Sequence, residues 1–306
     1  MTRCQLGLLV LVIVASCKDK PEQRSEKAVA SPDFWPDAPK TTTTSGPARA
    51  LAYKPANVTG YTIDIDMRTT PAAAATITAK MVLALAFKDA KAPTSRDAYF
   101  KKIDLDVDAA GQGMKMKLDN DQLTIVDKGE PMTLKRGDAG AFDVGAMLDK
   151  PFTTLSFANN HLTVTSNPDN PFTALGGDML DDALVLFPDL PVEAVAPGHT
   201  WTMMRTMPIG GGIGKFEVTY HFKYEGDGGC PSAAKSCAHL SFTASSKEAT
   251  VQSEGVSVTA SYGFAGKVFL DLERGTIDES RVHMDMDVKA AGQSLPMGGT
   301  FMVKPS

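Results

Sequence analysis

The chain has 306 residues, 43% of them hydrophobic and only 7% aromatic, and its 31 basic against 36 acidic side chains leave a formal charge of -5. A mildly acidic chain without a basic block lacks the clustered Lys and Arg that neutralise phosphates, which excludes nucleic acid as a partner. At the N-terminus, "MTRCQLGLLVLVIVASC", Arg3 provides a positive start, Leu6 to Val14 an apolar run, and Ala15 and Ser16 small residues. That run is about half of the ~20 residues a helix needs to cross a bilayer, so residues 1–16 read as a removable secretion signal rather than a permanent span.

The tetrapeptide Val14-Ala15-Ser16-Cys17 resembles the bacterial lipobox: an aliphatic residue, two small residues, then a cysteine. The resemblance implies a diacylglyceryl group on the Cys17 thiol, cleavage before Cys17 and acylation of the new amino terminus. Several acyl chains hold a protein to a membrane far better than one. The bland alternative is an ordinary soluble signal with a chance cysteine. Lys18 stands where such signals carry an Asp for inner-membrane retention, which leans towards the outer membrane of a bacterial cell envelope. The expected partner is then the membrane, through the acyl chains on Cys17.

Residues 17–50 follow as lipidated N-terminus and tether. From Lys18 to Ala50 the chain is rich in Pro, Thr, Ser and charge and shows neither helical nor strand periodicity, which describes disorder. Phe34-Trp35 is the exception, readable as a sticky spot in a flexible arm or as a docking element that folds back on its own domain or a partner.

From Leu51 onwards the apolar pattern has period two. In "YTIDIDM" Tyr61, Ile63, Ile65 and Met67 share one face, with Thr62, Asp64 and Asp66 opposite; "ITAKMVLALAF", "KIDLDVD" and "MKMKL" repeat the idiom. Such strands, joined by short polar connections, belong to an antiparallel sheet with one wet face. After residue 196 "FEVTYHFKY", "HLSFTA", "VSVTASYGF", "KVFLDLERG" and "RVHMDMDVKA" continue it, separated by turns rich in Gly, Ser, Asp or Glu.

Between the β blocks, Phe172, Leu175, Met179, Ala183, Leu184 and Phe187 recur at helical spacing, and a shorter helical piece is expected around Phe142 to Leu148. "GYTIDIDMR" with "ITAKMVLALAFKDA" parallels "HTWTMMRTM" with "KFEVTYHFKYEGD". The β-rich domain, 51–306, therefore divides into candidate halves 51–137 and 196–306 joined by a helical segment 138–195, either an old duplication or two hairpins that look alike. The expected fold is mainly β: one large curved antiparallel sheet, a half-barrel or two related halves, with one or two helices between them.

Catalytic motifs are missing. "IGGGIGKF" has Ile209 where a phosphate loop needs its first glycine and Phe216 where Ser or Thr should hold magnesium. His161, His199, His221, His239 and His283 show no metal-ligand spacing and no visible partner. The aspartates of the strands sit on polar faces where solvation explains them. No enzyme, cofactor or metal is expected. Cys4 leaves with the signal, which leaves Cys230 and Cys237 of an exported protein as a candidate disulfide across a turn-rich loop of about 8 residues.

The lipobox, the β-rich halves and the Pro-rich lead "LFPDLPVEAVAPGHTW" resemble the uncharacterised bacterial lipoproteins built like lipoprotein-carrier (LolA/LolB-like) half-barrels. That resemblance implies a concave sheet and supplies no functional residue. Two functions compete: a membrane-anchored interaction module for an envelope protein, with a dry core, or carriage of a lipid or other apolar ligand on the concave face, lined by the plentiful methionine. A continuous apolar cavity would decide between them.

Overall fold

The computed structural model describes residues 35 and 37–306, except 71–75, 110, 120, 128, 139–142, 173–186, 210–213, 233–235, 254–255 and 291–292. Cys17, the lipobox, residues 18–34 and most of the Phe172-to-Phe187 stripe lie outside the described residues. The strands are β1 (Thr41–Thr43), β2 (Gly60–Thr69), β3 (Ile77–Asp89), β4 (Ser95–Ala109), β5 (Gln112–Asp119), β6 (Gln122–Asp127), β7 (Glu130–Lys135), β8 (Thr153–Ala158), β9 (His161–Ser166), β10 (Thr200–Ile209), β11 (Gly214–Gly229), β12 (Ser236–Ser246), β13 (Ala249–Ser253), β14 (Val256–Asp271), β15 (Thr276–Ala290) and β16 (Gln293–Pro305). Among the described residues there is one α-helix, α1 (Val144–Asp149), begun by the Asp143 carboxylate accepting from the Ala146 amide.

All sixteen strands form one antiparallel sheet. A main path of paired strands runs β10, β11, β12, β14, β15, β16, β2, β3, β4, β5, β6, β7, with β1 pairing β11 further along the edge that β10 occupies, so the last strand of the chain pairs with β2 and joins the two β blocks directly. The path is open: β10 and β7 stand at its ends and do not pair with each other among the described residues. The expected mainly β architecture is what the chain adopts.

Three details depart from the sequence reading. The helical segment expected over 138–195 contains α1 and then a β-hairpin, β8–β9, which pairs with the first residues of β4. Asn159 and Asn160 both have φ near +60°, the left-handed pair that a two-residue hairpin turn matched to strand twist requires. Next, "VSVTASYGF" and "KVFLDLERG" are one strand, β14, and Gly266 between them is no turn. A Cβ there would lie 2.4 Å from the Phe242 ring, so Gly266 makes room for an aromatic on β12. Finally, within the stretch expected to be tether up to residue 50, Trp35 and residues 37–43 lie against the domain, as set out below, while residues 44–50 are exposed.

The inward face carries one large core. Tyr61, Leu83, Leu85, Phe100, Phe222, Tyr224 and Leu240 are buried there beneath a covering layer that includes Leu51, Tyr53, Phe152, Phe157, Phe187 and Val195. Tyr53, Tyr61, Phe157 and Phe187 meet ring to ring at 5.1–6.4 Å. The Tyr53 hydroxyl donates to the Pro188 carbonyl at 2.8 Å, and burial pushes this phenol well above its usual pKa.

At one end the sheet is buried on its outer face as well. There Trp35 and residues 37–43 lie as a strap: Trp35 and Ala38 pack on Phe269 and on the Cys230–Cys237 disulfide, whose Cα atoms are 5.1 Å apart. Asp37 pairs with the Arg281 guanidinium at 2.9 Å, Thr41 Oγ1 meets His239 Nδ1 at 3.2 Å, and β1 pairs with β11. Gly226, at φ +125°, and Gly228 let the strap approach: their Cβ atoms would stand 1.8 Å from the Thr43 carbonyl oxygen and 2.6 Å from that of Lys40. Composition hid this because the strap is held by backbone pairing, one ion pair and one indole rather than by a periodic apolar face.

Candidate functional site: an uncharged inward face

Alternation along each strand and register across neighbours together place the inward side chains. One row runs Trp201, Phe222, Phe242, Gly266, Val282, Phe301, Ile65, Met81, Leu105, Met116, Ile125 and Met132, each opposite the next, across all twelve strands of the main path. None of them carries a charge. The adjacent row, from Met203 through Tyr220, Ala244, Phe264, Met284, Gly299, Met67, Ala79 and Val107 to Met114, is likewise uncharged.

Burial along these rows is uneven, and the unevenness locates the candidate site. Towards the disulfide end the covering layer hides the inward side chains. Away from it, Met67, Met81, Leu105, Val107, Met114, Ile125, Tyr262, Met286, Met297 and Phe301 are only partly buried, and Met132 is 38% exposed. Six of these eleven are methionines, whose unbranched, polarisable side chains adapt to an irregular apolar guest. Met67, Met81, Leu105, Ile125, Tyr262 and Phe301 pack against the core with part of their surface open, and Met132 is the exposed member of the group. Aromatic contacts continue inward from the β10 edge, with Trp201 stacked on Phe222 at 5.4 Å and Phe222 against Phe242 at 5.1 Å.

The site is a face rather than a closed chamber. Two open depressions are bordered mainly by side chains of the opposite alternation: one of about 570 Å3 by Thr200, Thr202, His221, Lys223, Ser241 and Thr243 with Trp201, Phe222 and Phe242, and one of about 520 Å3 by Lys115 and Val126 with the hairpin tips around Gly111 and Gly129. Both have mixed polar and apolar walls, so neither is the continuous apolar cavity that would by itself identify a carrier.

The outer face is polar, as the strand aspartates imply. Asp66 faces Lys80 at 3.7 Å, Asp106 faces Lys115 at 2.7 Å and Asp64 faces Lys304 at 3.4 Å, all well exposed. These are solvated cross-strand pairs of small individual worth.

Three of the five histidines, expected to lack partners, have them. His161 Nδ1 lies 2.6 Å from Asp189 Oδ2, and His239 Nε2 lies 2.9 Å from the Gly229 carbonyl oxygen. His283 stands 3.4 Å from Asp285. Burial holds His239 below its ordinary pKa. The Asp189 cluster was not legible from spacing: its carboxylate also accepts from the Leu162 amide at 2.9 Å and from Arg205 Nη2 at 2.7 Å, joining β9 to β10 through residues far apart in sequence. Among the described residues, the group of metal-ligand type within mutual reach is Cys230, Cys237 and Asp278, and the disulfide occupies both sulfurs. Asp278 instead accepts from the Ser232 amide at 3.0 Å and from its hydroxyl.

No family model matches this chain, and no curated protein matches it. Among solved structures it is similar to a chain described under lipid–protein interactions in lipovitellin, with a TM-score of 0.43 and 10% identity over 81% of this chain. The similarity spans 25% of that chain.

Proposed function

We propose that this is a non-enzymatic cell-envelope lipoprotein, anchored in the outer membrane through acyl chains on Cys17, whose inward sheet face binds an apolar ligand of acyl-chain type. The observation that carries the binding function is the unbroken uncharged row across twelve strands, partly exposed where the covering layer ends. Each methylene removed from water against such a face contributes about 0.8 kcal/mol, so even a partial fit holds a long chain. The lipobox resemblance supports the anchor.

Native mass spectrometry of the protein released from membranes in mild detergent tests the binding. Lipid-sized adducts that disappear with an inward charge are the expected result; an adduct-free spectrum under conditions that preserve lipid on a control lipoprotein would refute it. Replacing Cys17 with Ser is expected to shift the protein out of the membrane fraction, and unchanged membrane retention would remove the anchor.

A second function, docking of an envelope protein, is favoured by a separate observation. The strands β10 and β7 offer unpaired edges among the described residues, and near the β10 edge Val192 and Met204 are 75% and 66% exposed. Crosslinking in intact cells from position 204 would decide it, with a single discrete adduct expected for docking and none for a free edge.

A further inference from the structure

Most strands of the sheet are paired on both sides, and those that are not are short, with one exception. Among the described residues β1, β7, β9 and β13 have a single neighbour and run three, six, six and five residues, whereas β10 has ten residues and pairs with β11 alone. Folded proteins blunt a free edge with shortness, charge or proline. β7 carries all three, with Glu130, Pro131 and Lys135. β10 does not: Thr202, Met204 and Thr206 are exposed and uncharged, and the Arg205 guanidinium between them is held by Asp189 at 2.7 Å. The backbone polarity of this edge follows from its neighbour. The Tyr224 amide donates to the His199 carbonyl and the Tyr224 carbonyl accepts from the Gly198 amide, so Tyr224, and with it every second residue of β11, bonds towards β10. Trp201 lies opposite Phe222 and Met203 opposite Tyr220, so these residues take the bonds to β11, and the amides and carbonyls of Thr202, Met204 and Thr206 point away from the sheet.

We infer that the β10 edge pairs antiparallel with the same edge of a second copy of this chain, about a two-fold axis at Met204. The inference names the occupant of the edge described above for docking, and it is independent of lipid binding and of Cys17. Centred there, Met204 lies opposite Met204 of the second copy and Thr202 opposite its Thr206, which gives about six backbone hydrogen bonds to groups that otherwise face solvent. The Met204 side chains, each 66% exposed, then cover one another. On the other face Met203 meets Arg205 of the second copy, whose charge is already met by its own Asp189. With no like charges opposed, the strand is complementary to itself, as an isologous interface requires. A two-fold at Arg205 would set two guanidinium groups together, and one at Met203 would leave each exposed methionine beside a threonine. A charged strand from another protein finds no counter-charge on this edge.

The test uses the full chain in cell membranes, single cysteines and a short bis-methanethiosulfonate linker, with the unsubstituted chain as baseline because Cys230 and Cys237 are already joined. Met204→Cys should link to dimers, since the Cα atoms of a hydrogen-bonded pair stand about 5.5 Å apart. Mixed Thr202→Cys and Thr206→Cys chains should link as well. Thr202→Cys alone, with roughly 14 Å between its two copies in this register, and Thr133→Cys on β7 should link several-fold less. Adding Met204→Lys to the mixed pair should reduce its dimers several-fold, because it sets like charges opposite each other. Equal linking from positions 202 and 204 would overturn the register, and linking from 204 no greater than from 133 would overturn the pairing. A photoreactive residue at 204 separates the occupant from the edge: an adduct of twice the chain mass is expected. Adducts with other proteins only would overturn the second copy and leave the docking reading standing, and none at all would refute both.

Discussion

Replacing Asp189 with Ala is expected to be among the most damaging single changes outside the apolar core. Its carboxylate accepts three hydrogen bonds, from the Leu162 amide, Arg205 and His161, at 2.6–2.9 Å, and its side chain is only 20% exposed. Arg205 is 14% exposed, so truncating Asp189 strands a nearly buried guanidinium and an unpaired backbone amide. A hydrogen bond to a charged group is worth about 1.5–3 kcal/mol and an orphaned buried donor costs about 1–3. Allowing for some rehydration, the loss is about 3 kcal/mol, which at a urea slope of about 3 kcal/mol/M moves the midpoint down by about 1 M. Arg205→Met should recover part of the loss in the Asp189→Ala background, because it removes the stranded cation. A shift under about 0.2 M, or strict additivity of the two changes, would refute the role of Asp189 as the joint between β9 and β10.

Three further outcomes follow from the strap and its surroundings. Replacing both Cys230 and Cys237 with Ser should cost about 2.5 kcal/mol on the loop-entropy model, while protein taken from the envelope should show no thiol open to alkylation under denaturing, non-reducing conditions; two free thiols would remove the bridge. Gly226→Ala places a Cβ on the Thr43 carbonyl at a φ of +125°, so amide exchange at Thr41 to Thr43 should accelerate strongly with little change in β2–β5. Unchanged protection there would show that the strap does not depend on that approach. For pH, burial lowers the His239 pKa in the folded state, so the unfolded chain binds this proton first. Stability should therefore decline as pH falls below the ordinary histidine value of 6.5, and His239→Gln should flatten that decline.

Period-two alternation made the strands and their inward faces legible, because each strand has one wet and one dry side. Register was not legible, and register is what turns separate stripes into one row from Trp201 to Met132. The β8–β9 hairpin was readable in principle: "TTLSFANNHLTVTS" alternates on both sides of an Asn-Asn turn, yet its short strands lay within a stretch dominated by the helical stripe. Gly266 looked like punctuation because a glycine chosen to accommodate a ring on the next strand is indistinguishable, in sequence, from one chosen for a turn. The strap and the Asp189 cluster rest on single contacts between residues up to 244 apart, such as Asp37 with Arg281, and such contacts leave no periodic trace.

The central claim is that the inward face binds an acyl chain because it is uncharged, and a pair of lysine substitutions on β3 tests it most directly. Met81 is inward, in the middle of the twelve-strand row, whereas Thr78 points outward and is exposed. Titration of the tether-free domain with a fluorescent fatty acid should give saturable binding. Met81→Lys should weaken it by at least about tenfold, the equivalent of roughly 1.4 kcal/mol for a charge placed against the chain, and Thr78→Lys should leave it unchanged. Equal affinity in both variants, or no saturable binding by the unsubstituted protein, would contradict the account.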